Sequence, residues 1–227
     1  MAGGSASRTR SAHVPTGRPL WALREDVLVV IDENTIRLTV DLGGSAGLRQ
    51  IQLDGPDPLL RAVLDRMSLG PVSLENVPGL EESARDWRRG TGPCAAWRTI
   101  REAFDQLGGC VVAALGAPGD AVVDLSVVAI EPDAVFRLPP SPPPAVPVRL
   151  RPDAGLERGP AVAARLVSPT APFVVELSSR RARLVVGALV HGPCPVGRLA
   201  QRSGQPVDFV VDVLAYVAGA GLTAGAT

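Results

Sequence analysis

A helix, a Gly-Pro turn, a short helix and a longer helix occur twice in this chain. Such a duplicated unit limits the fold more than any single residue does. The first copy reads Leu59, Leu60, Val63, Leu64 and Met67, followed by Gly70-Pro71-Val72-Ser73-Leu74. The second reads Val185, Val186, Leu189 and Val190, followed by Gly192-Pro193, Pro195-Val196, Leu199 and Ala200. Apolar residues at three- and four-residue steps mark a helix with one buried face. A Gly-Pro pair then ends each helix, because glycine takes a left-handed C-terminal conformation and proline cannot continue the ladder.

Each copy follows a β-rich stretch. Leu23 to Ile31 is apolar and β-branched, and Ile36, Leu38 and Val40 alternate with Arg37, Thr39 and Asp41, the period of a half-buried strand. Asp32-Glu33-Asn34 reads as the turn between them. A third strand is expected at Leu48 to Leu53, with Arg49, Ile51 and Leu53 on one face and Leu48, Gln50 and Gln52 on the other. Asp57-Pro58 opens the next helix with a capping acid and a first-turn proline. A helix over Cys94 to Leu107 buries Trp97, Ile100, Phe104 and Leu107, and Val111 to Leu115 with Val122 to Ile130 forms a hairpin, the wing. In the second copy, strands are expected at Val148 to Leu150, Val162 to Val167 and Phe173 to Leu177, and Pro206 opens a last helix. The expected fold class is α+β, with two tandem winged-helix modules, a scaffold that binds far more often than it catalyses.

The 227 residues suffice for two domains of about 100 residues each. Residues 1–19, rich in Ser, Gly and Arg, read as a disordered tail. The Pro-rich stretch within 139–147 reads as a polyproline spacer between module one at 20–138 and module two at 148–227. No apolar run approaches the roughly 20 residues of a membrane span, and the N-terminus carries no secretory apolar core, so a cytoplasmic location is expected. All 23 basic residues are arginine, the usage of a GC-rich genome such as an actinobacterial one, which weakens any functional reading of arginine over lysine.

Little in the chain suggests catalysis. His13 and His191 have no partner at metal-ligand spacing, and Cys94, Cys110 and Cys194 are odd in number, far apart and read as small core residues. Neither a metal nor a cofactor is expected. Gly43-Gly44-Ser45-Ala46-Gly47 precedes a strand rather than a helix, so it is not a phosphate loop. A DNA reader needs a basic stripe on its recognition helix. The first such helix exposes Arg98 and Arg101 beside Glu102 and Asp105, and the second is expected to expose Asp208 and Asp212 with no basic residue. With a net charge of zero, a transcriptional regulator is the weaker alternative. An extended peptide added to a sheet edge fits better, since backbone bonds supply affinity and a neighbouring helix supplies pockets. The candidate peptide-binding residues are Leu48, Gln50, Ile51, Gln52 and Leu53 on the strand edge and Trp97, Arg98 and Arg101 on the helix.

The order of features resembles the N-terminal region of SagB-type dehydrogenases, flavin enzymes that oxidise azolines in ribosomally made, post-translationally modified peptides. The likeness runs from Trp21-Ala-Leu-Arg-Glu-Asp-Val through Leu59-Leu60 and Gly70-Pro71-Val72-Ser73-Leu74, then Val174-Val175-Glu176-Leu177, to Ala218-Gly-Ala-Gly-Leu222. In that family these units are similar to precursor-peptide recognition elements, which hold a leader peptide between a strand edge and a helix. In that family an FMN domain follows, so the chain is expected to be either a naturally split, stand-alone recognition protein or a fragment of a longer enzyme, and Ser178-Ser-Arg-Arg-Ala-Arg183 only faintly resembles a flavin contact. The resemblance therefore implies a non-catalytic protein that binds a leader peptide and presents it to a cyclodehydratase or a flavin-dependent dehydrogenase. A structural or dimerising subunit of such a dehydrogenase is a further alternative, and a homodimer stays open among the partners. Nucleic acid and membrane are not expected partners.

Overall fold

A computed structural model describes residues 17–41, 47–81, 95–117, 122–139, 145–158 and 164–224. The chain is mixed α and β. Among the described residues nine strands form two antiparallel sheets and five α-helices pack against them.

The smaller sheet is a meander of β2 (Val27–Ile31), β3 (Thr35–Asp41) and β4 (Leu48–Asp54). Its period-two pattern works as expected: Ile36, Leu38, Val40 and Leu53 are buried, whereas Arg37, Gln50 and Gln52 face outward. Helix α1 (Pro58–Ser68) follows, capped by the Asp57 carboxylate, which accepts from the Leu59 amide at 2.7 Å. After a 3-10 turn at Leu74–Asn76 comes α2 (Ala95–Leu107), which buries Ile100, Ala103, Phe104 and Leu107. These elements enclose one core.

The larger sheet has six strands in the order β1-β5-β6-β9-β8-β7: β1 (Arg18–Leu23), β5 (Val111–Gly116), β6 (Val123–Ala129), β9 (Phe173–Leu177), β8 (Ala164–Val167) and β7 (Gly155–Arg158). Helices α3 (Arg180–Val190), α4 (Val196–Ser203) and α5 (Val207–Gly219) build the second core with it. β6 pairs with β9, so strands on either side of the proline-rich stretch share one sheet, and Leu115, Leu125 and Val127 share a core with Val175, Val185 and Val213. Residues 140–144 of that stretch, like the tail residues 1–16, lie outside the described residues.

Four expectations are corrected. Gly17 to Pro19, inside the stretch read as a tail, are held in the fold: the Gly17 amide bonds Asp212, and β1 pairs with β5 from Arg18↔Gly116 onward. Leu23 to Ile31 is two strands: Arg24 to Asp26 turn the chain, and the Val27 amide bonds the Arg24 carbonyl at 3.1 Å. Val148 to Leu150 forms isolated bridges rather than a strand, and the first strand of copy two is instead Gly155–Arg158. Asp212 is buried at 1% exposure, and its carboxylate accepts the Gly17 amide at 2.7 Å. Helix α5 is enclosed on every side from Phe209 to Val217, so only Asp208 of the two acids meets water.

The duplication extends well beyond the Gly-Pro turns. Gly70 and Gly192 have φ of 138° and 130°, a region that favours glycine. Two residues after each, Val72 and Cys194 exchange both backbone bonds with Trp21 and Val148, at 2.8 Å and 3.0 Å. Three residues beyond Trp21 and Val148, the Arg24 and Arg151 amides bond the Cys110 and Leu222 carbonyls, each at 3.0 Å. Both arginines clasp an aspartate two residues on, Arg24 with Asp26 at 2.6 Å and Arg151 with Asp153 at 3.1 Å. Three strands, an 11-residue helix (α1, α3) and, after the Gly-Pro turn, a 13-residue helix (α2, α5) then recur in the same order. The sequence signal for this longer match is Leu-Arg-x-Asp at Leu23 and at Leu150.

Candidate peptide-binding surface

The Asp32 amide bonds the Thr35 carbonyl at 2.9 Å, which fixes the phase of the small sheet. In an antiparallel ladder, hydrogen-bonded and non-bonded pairs alternate. With the observed register, Ile36, Leu38 and Val40 bond to β4, and the amides and carbonyls of Leu48, Gln50 and Gln52 point away from β3. Among the described residues no strand pairs with that outer edge of β4. Leu48 is 75% exposed, Gln50 and Gln52 are exposed, Ile51 is half-buried and Leu53 is buried against the core.

In copy two the matching strand is β9, and there the outer edge is occupied. Alignment on the Gly-Pro turns sets Gln50, Gln52 and Asp54 against Pro172, Val174 and Glu176. The Pro172 carbonyl accepts the Ile130 amide at 2.9 Å, and the Ser178 amide bonds the Asp124 carbonyl at 3.0 Å, so the same parity of residues meets β6. Strand β6 is thus an added antiparallel strand laid along the edge that β4 leaves open. It is clamped by the Asp124 carboxylate, 2% exposed, which takes two bonds from the Arg181 guanidinium at the start of α3. That guanidinium also stacks 4.4 Å above the Phe209 ring.

The last helices of the two copies differ as well. Trp97, Arg98 and Arg101 of α2 correspond to Phe209, Val210 and Val213 of α5. Val210 and Val213 are fully buried, whereas Arg98 and Arg101 are exposed. Trp97 and Arg101 line a cleft of about 100 Å³ together with Trp21, Phe104, Phe136 and Arg137. Trp21 packs against Phe104 and Trp97 with ring centroids 5.2 and 6.3 Å apart. Arg137 pairs with Asp105 at 2.7 Å. The β4 residues do not line this cleft; β4 reaches the end of α2 through Arg49, which pairs with Asp133 at 3.0 Å and donates to the Pro132 carbonyl beside Gly108. The expected site is therefore a strand edge and an aromatic cleft joined at the C-terminal end of α2. Trp21, Phe104 and Phe136 were not among the expected site residues, although four of the chain's eight aromatic residues gather here.

Among the described residues no cluster of His, Cys, Asp or Glu could hold a metal, and no helix is long and apolar enough to cross a membrane. Cys110 and Cys194 are buried, and burial pushes the Cys110 thiol above its ordinary range, away from nucleophilic use. His191 is the C-cap residue of α3; Cys94 and His13 lie outside the described residues. No family model and no curated protein matches the chain.

Proposed function

We propose that the protein is a non-catalytic binding partner for the leader of a precursor peptide, built from two winged-helix modules, and that it presents that leader to separate thiazole- or oxazole-forming enzymes. One observation carries this reading: the two copies share one architecture, yet the third-strand edge is filled by β6 in copy two, whereas among the described residues no strand fills it in copy one. An extended peptide on β4 would satisfy the outward amides and carbonyls of Leu48, Gln50 and Gln52, as β6 does for β9. The aromatic cleft beside Trp97 and Trp21 suits an apolar side chain of the same peptide. Arg98 and Arg101, where copy two has valines, favour carboxylates at its flank.

Fluorescence anisotropy with a labelled leader peptide encoded beside the gene tests the reading. Binding in the micromolar to tens-of-micromolar range is expected. Gln52→Pro removes an outward donor without touching the ladder to β3, a place where an edge tolerates proline. It should weaken binding at least tenfold, about 1.4 kcal/mol, with the unfolding midpoint nearly unchanged. Absence of leader binding, together with salt-sensitive retention on duplex DNA, would favour a regulator instead.

A further inference from the structure

Copy two shows a filled third-strand edge, because β6 lies on β9 as a ligand strand would lie on β4. Antiparallel pairing runs from Leu125↔Leu177 to Ala129↔Phe173, and Leu125, Val127 and Ala129 are buried beside Leu177, Val175 and Phe173. Helices α1 and α3 have 11 residues each and are capped by Asp57 and Ser179, which sets Leu53, Asp54 and Leu59 against Val175, Glu176 and Arg181. Residue for residue, the two edges share one frame. Their far ends differ in chemistry.

At the end of β9, β6 is clamped through Asp124. This residue is the extra one in a bulge, since Leu115 pairs with Leu125 and Gly116 with Val123, and a bulge re-aims the side chain. Its carbonyl accepts the Ser178 and Ser179 amides, each at 3.0 Å, and its carboxylate accepts from Arg181. Copy one lacks this clamp. Ser178 is matched by Pro56, which has no amide hydrogen, and Ser179 by Asp57, whose carboxylate is committed to the Leu59 amide. Arg181 is matched by Leu59 itself, half-buried and packed against the core. Trp97 takes the sequence place of Phe209, the ring beneath the Arg181 guanidinium. An acid in the place of Asp124 would therefore meet a leucine where copy two has a cation, with a like-charged carboxylate beside it, and a desolvated charge without a partner is costly.

We infer that Leu59 is a specificity-determining residue of the β4 edge: the peptide strand that lies there, antiparallel to β4 in the register of β6, carries an apolar residue where β6 carries Asp124. Given the reading of β4 as a peptide-binding edge, on which this rests, the ligand is narrowed to one class. With that apolar residue as the first position, the fourth and sixth match Val127 and Ala129 and face Leu53 and Ile51, so they too are apolar. The third and fifth pair with Asp54 and Gln52 through main-chain bonds, whose amides and carbonyls turn away from β3. With no buried ion pair to break, the strand on β4 can exchange, whereas β6 belongs to the chain's own sheet.

The probe is a fluorescein-labelled synthetic peptide with the sequence of Val122–Ile130, made with Asp and with Leu at the place of Asp124 and with lysines added at its C-terminus for solubility. Anisotropy with the full chain should show the Leu probe binding about fivefold or more tightly than the Asp probe, and Leu59→Arg should reverse that order, because it supplies the guanidinium of copy two. Gln52→Pro should weaken the Leu probe about tenfold. An Asp probe that binds the wild-type chain as tightly as the Leu probe overturns the inference, whether or not Leu59→Arg folds by circular dichroism. A folded Leu59→Arg chain that keeps the wild-type order overturns it as well. A leader that binds the wild-type chain and is lost in Gln52→Pro, while neither probe binds, overturns the role of Leu59 and leaves the peptide reading of β4 in place. A Leu probe that binds with the expected preference while the leader does not bind keeps the role of Leu59 and overturns the leader reading. Binding by neither probe nor leader overturns both.

Discussion

Asp153 shows how much a single exposed side chain can organise. Hydrogen bonds from the Thr170 and Ser168 hydroxyls, aided by Arg151, hold its carboxyl far below the usual carboxylate range. A lowered folded-state value stabilises the fold above the unfolded pKa, about 3.9, and that contribution is lost as pH falls through the folded value. Asp153→Asn should therefore lower the melting temperature at pH 7 and at pH 5 alike, with the gap to wild type narrowing as pH drops below about 4; thermal melts at pH 7, 5 and 3 check this. Tyr216 is the buried counterpart. Burial and the nearby Asp212 raise its phenol well above the ordinary range, so it stays neutral and donates to the Ala114 carbonyl at 2.9 Å. The residue scale also holds the clearest misreading from sequence. Asp212 looked solvent-exposed because a helix with one apolar stripe has a wet face opposite, but α5 is buried all round, and its acid is tolerated because the Gly17 amide meets it.

At the scale of elements, the repeated strand–helix unit was legible because its signals are local. Capping by Asp57, the three- and four-residue apolar steps and the Gly-Pro turns each act within a few residues, and α1 and α3 lie where those signals put them. Strand β7 was not legible, since a four-residue edge strand with exposed Glu157 and Arg158 has the composition of a loop. The site was half legible. Leu48, Gln50 and Gln52 do form an outer edge, and Trp97 and Arg101 do line a cleft, but the cleft is completed by Trp21 and Phe136, which are remote in sequence from α2. The clamp on β6 is an element-scale contact as well. Asp124→Ala would break two charge-assisted bonds from Arg181 and release the start of α3 from β6. With Arg181 itself 38% exposed, the expected loss is about 2 kcal/mol, below the range for wholly buried pairs, and a shift in the urea midpoint measures it.

At the scale of the whole molecule, one six-stranded sheet draws strands from both copies, and the core beneath it mixes residues from Ala113 to Leu222. Unfolding should then be a single cooperative transition, with calorimetric and van't Hoff enthalpies equal; two resolved transitions would mean that the copies are independent domains. The duplication, the helices, the turn glycines and the alternation of β3 and β4 were determined by the sequence alone, because backbone conformation and burial periodicity follow from neighbours a few residues away. Tertiary structure alone decided which edges are open: β6 covers β9 while β4 and β2 stay uncovered among the described residues. The physical reason is that a strand's hydrogen-bonding edge is nearly the same for every sequence. Local patterns can say that a strand exists, but its partner depends on loop closure and core packing over the whole chain.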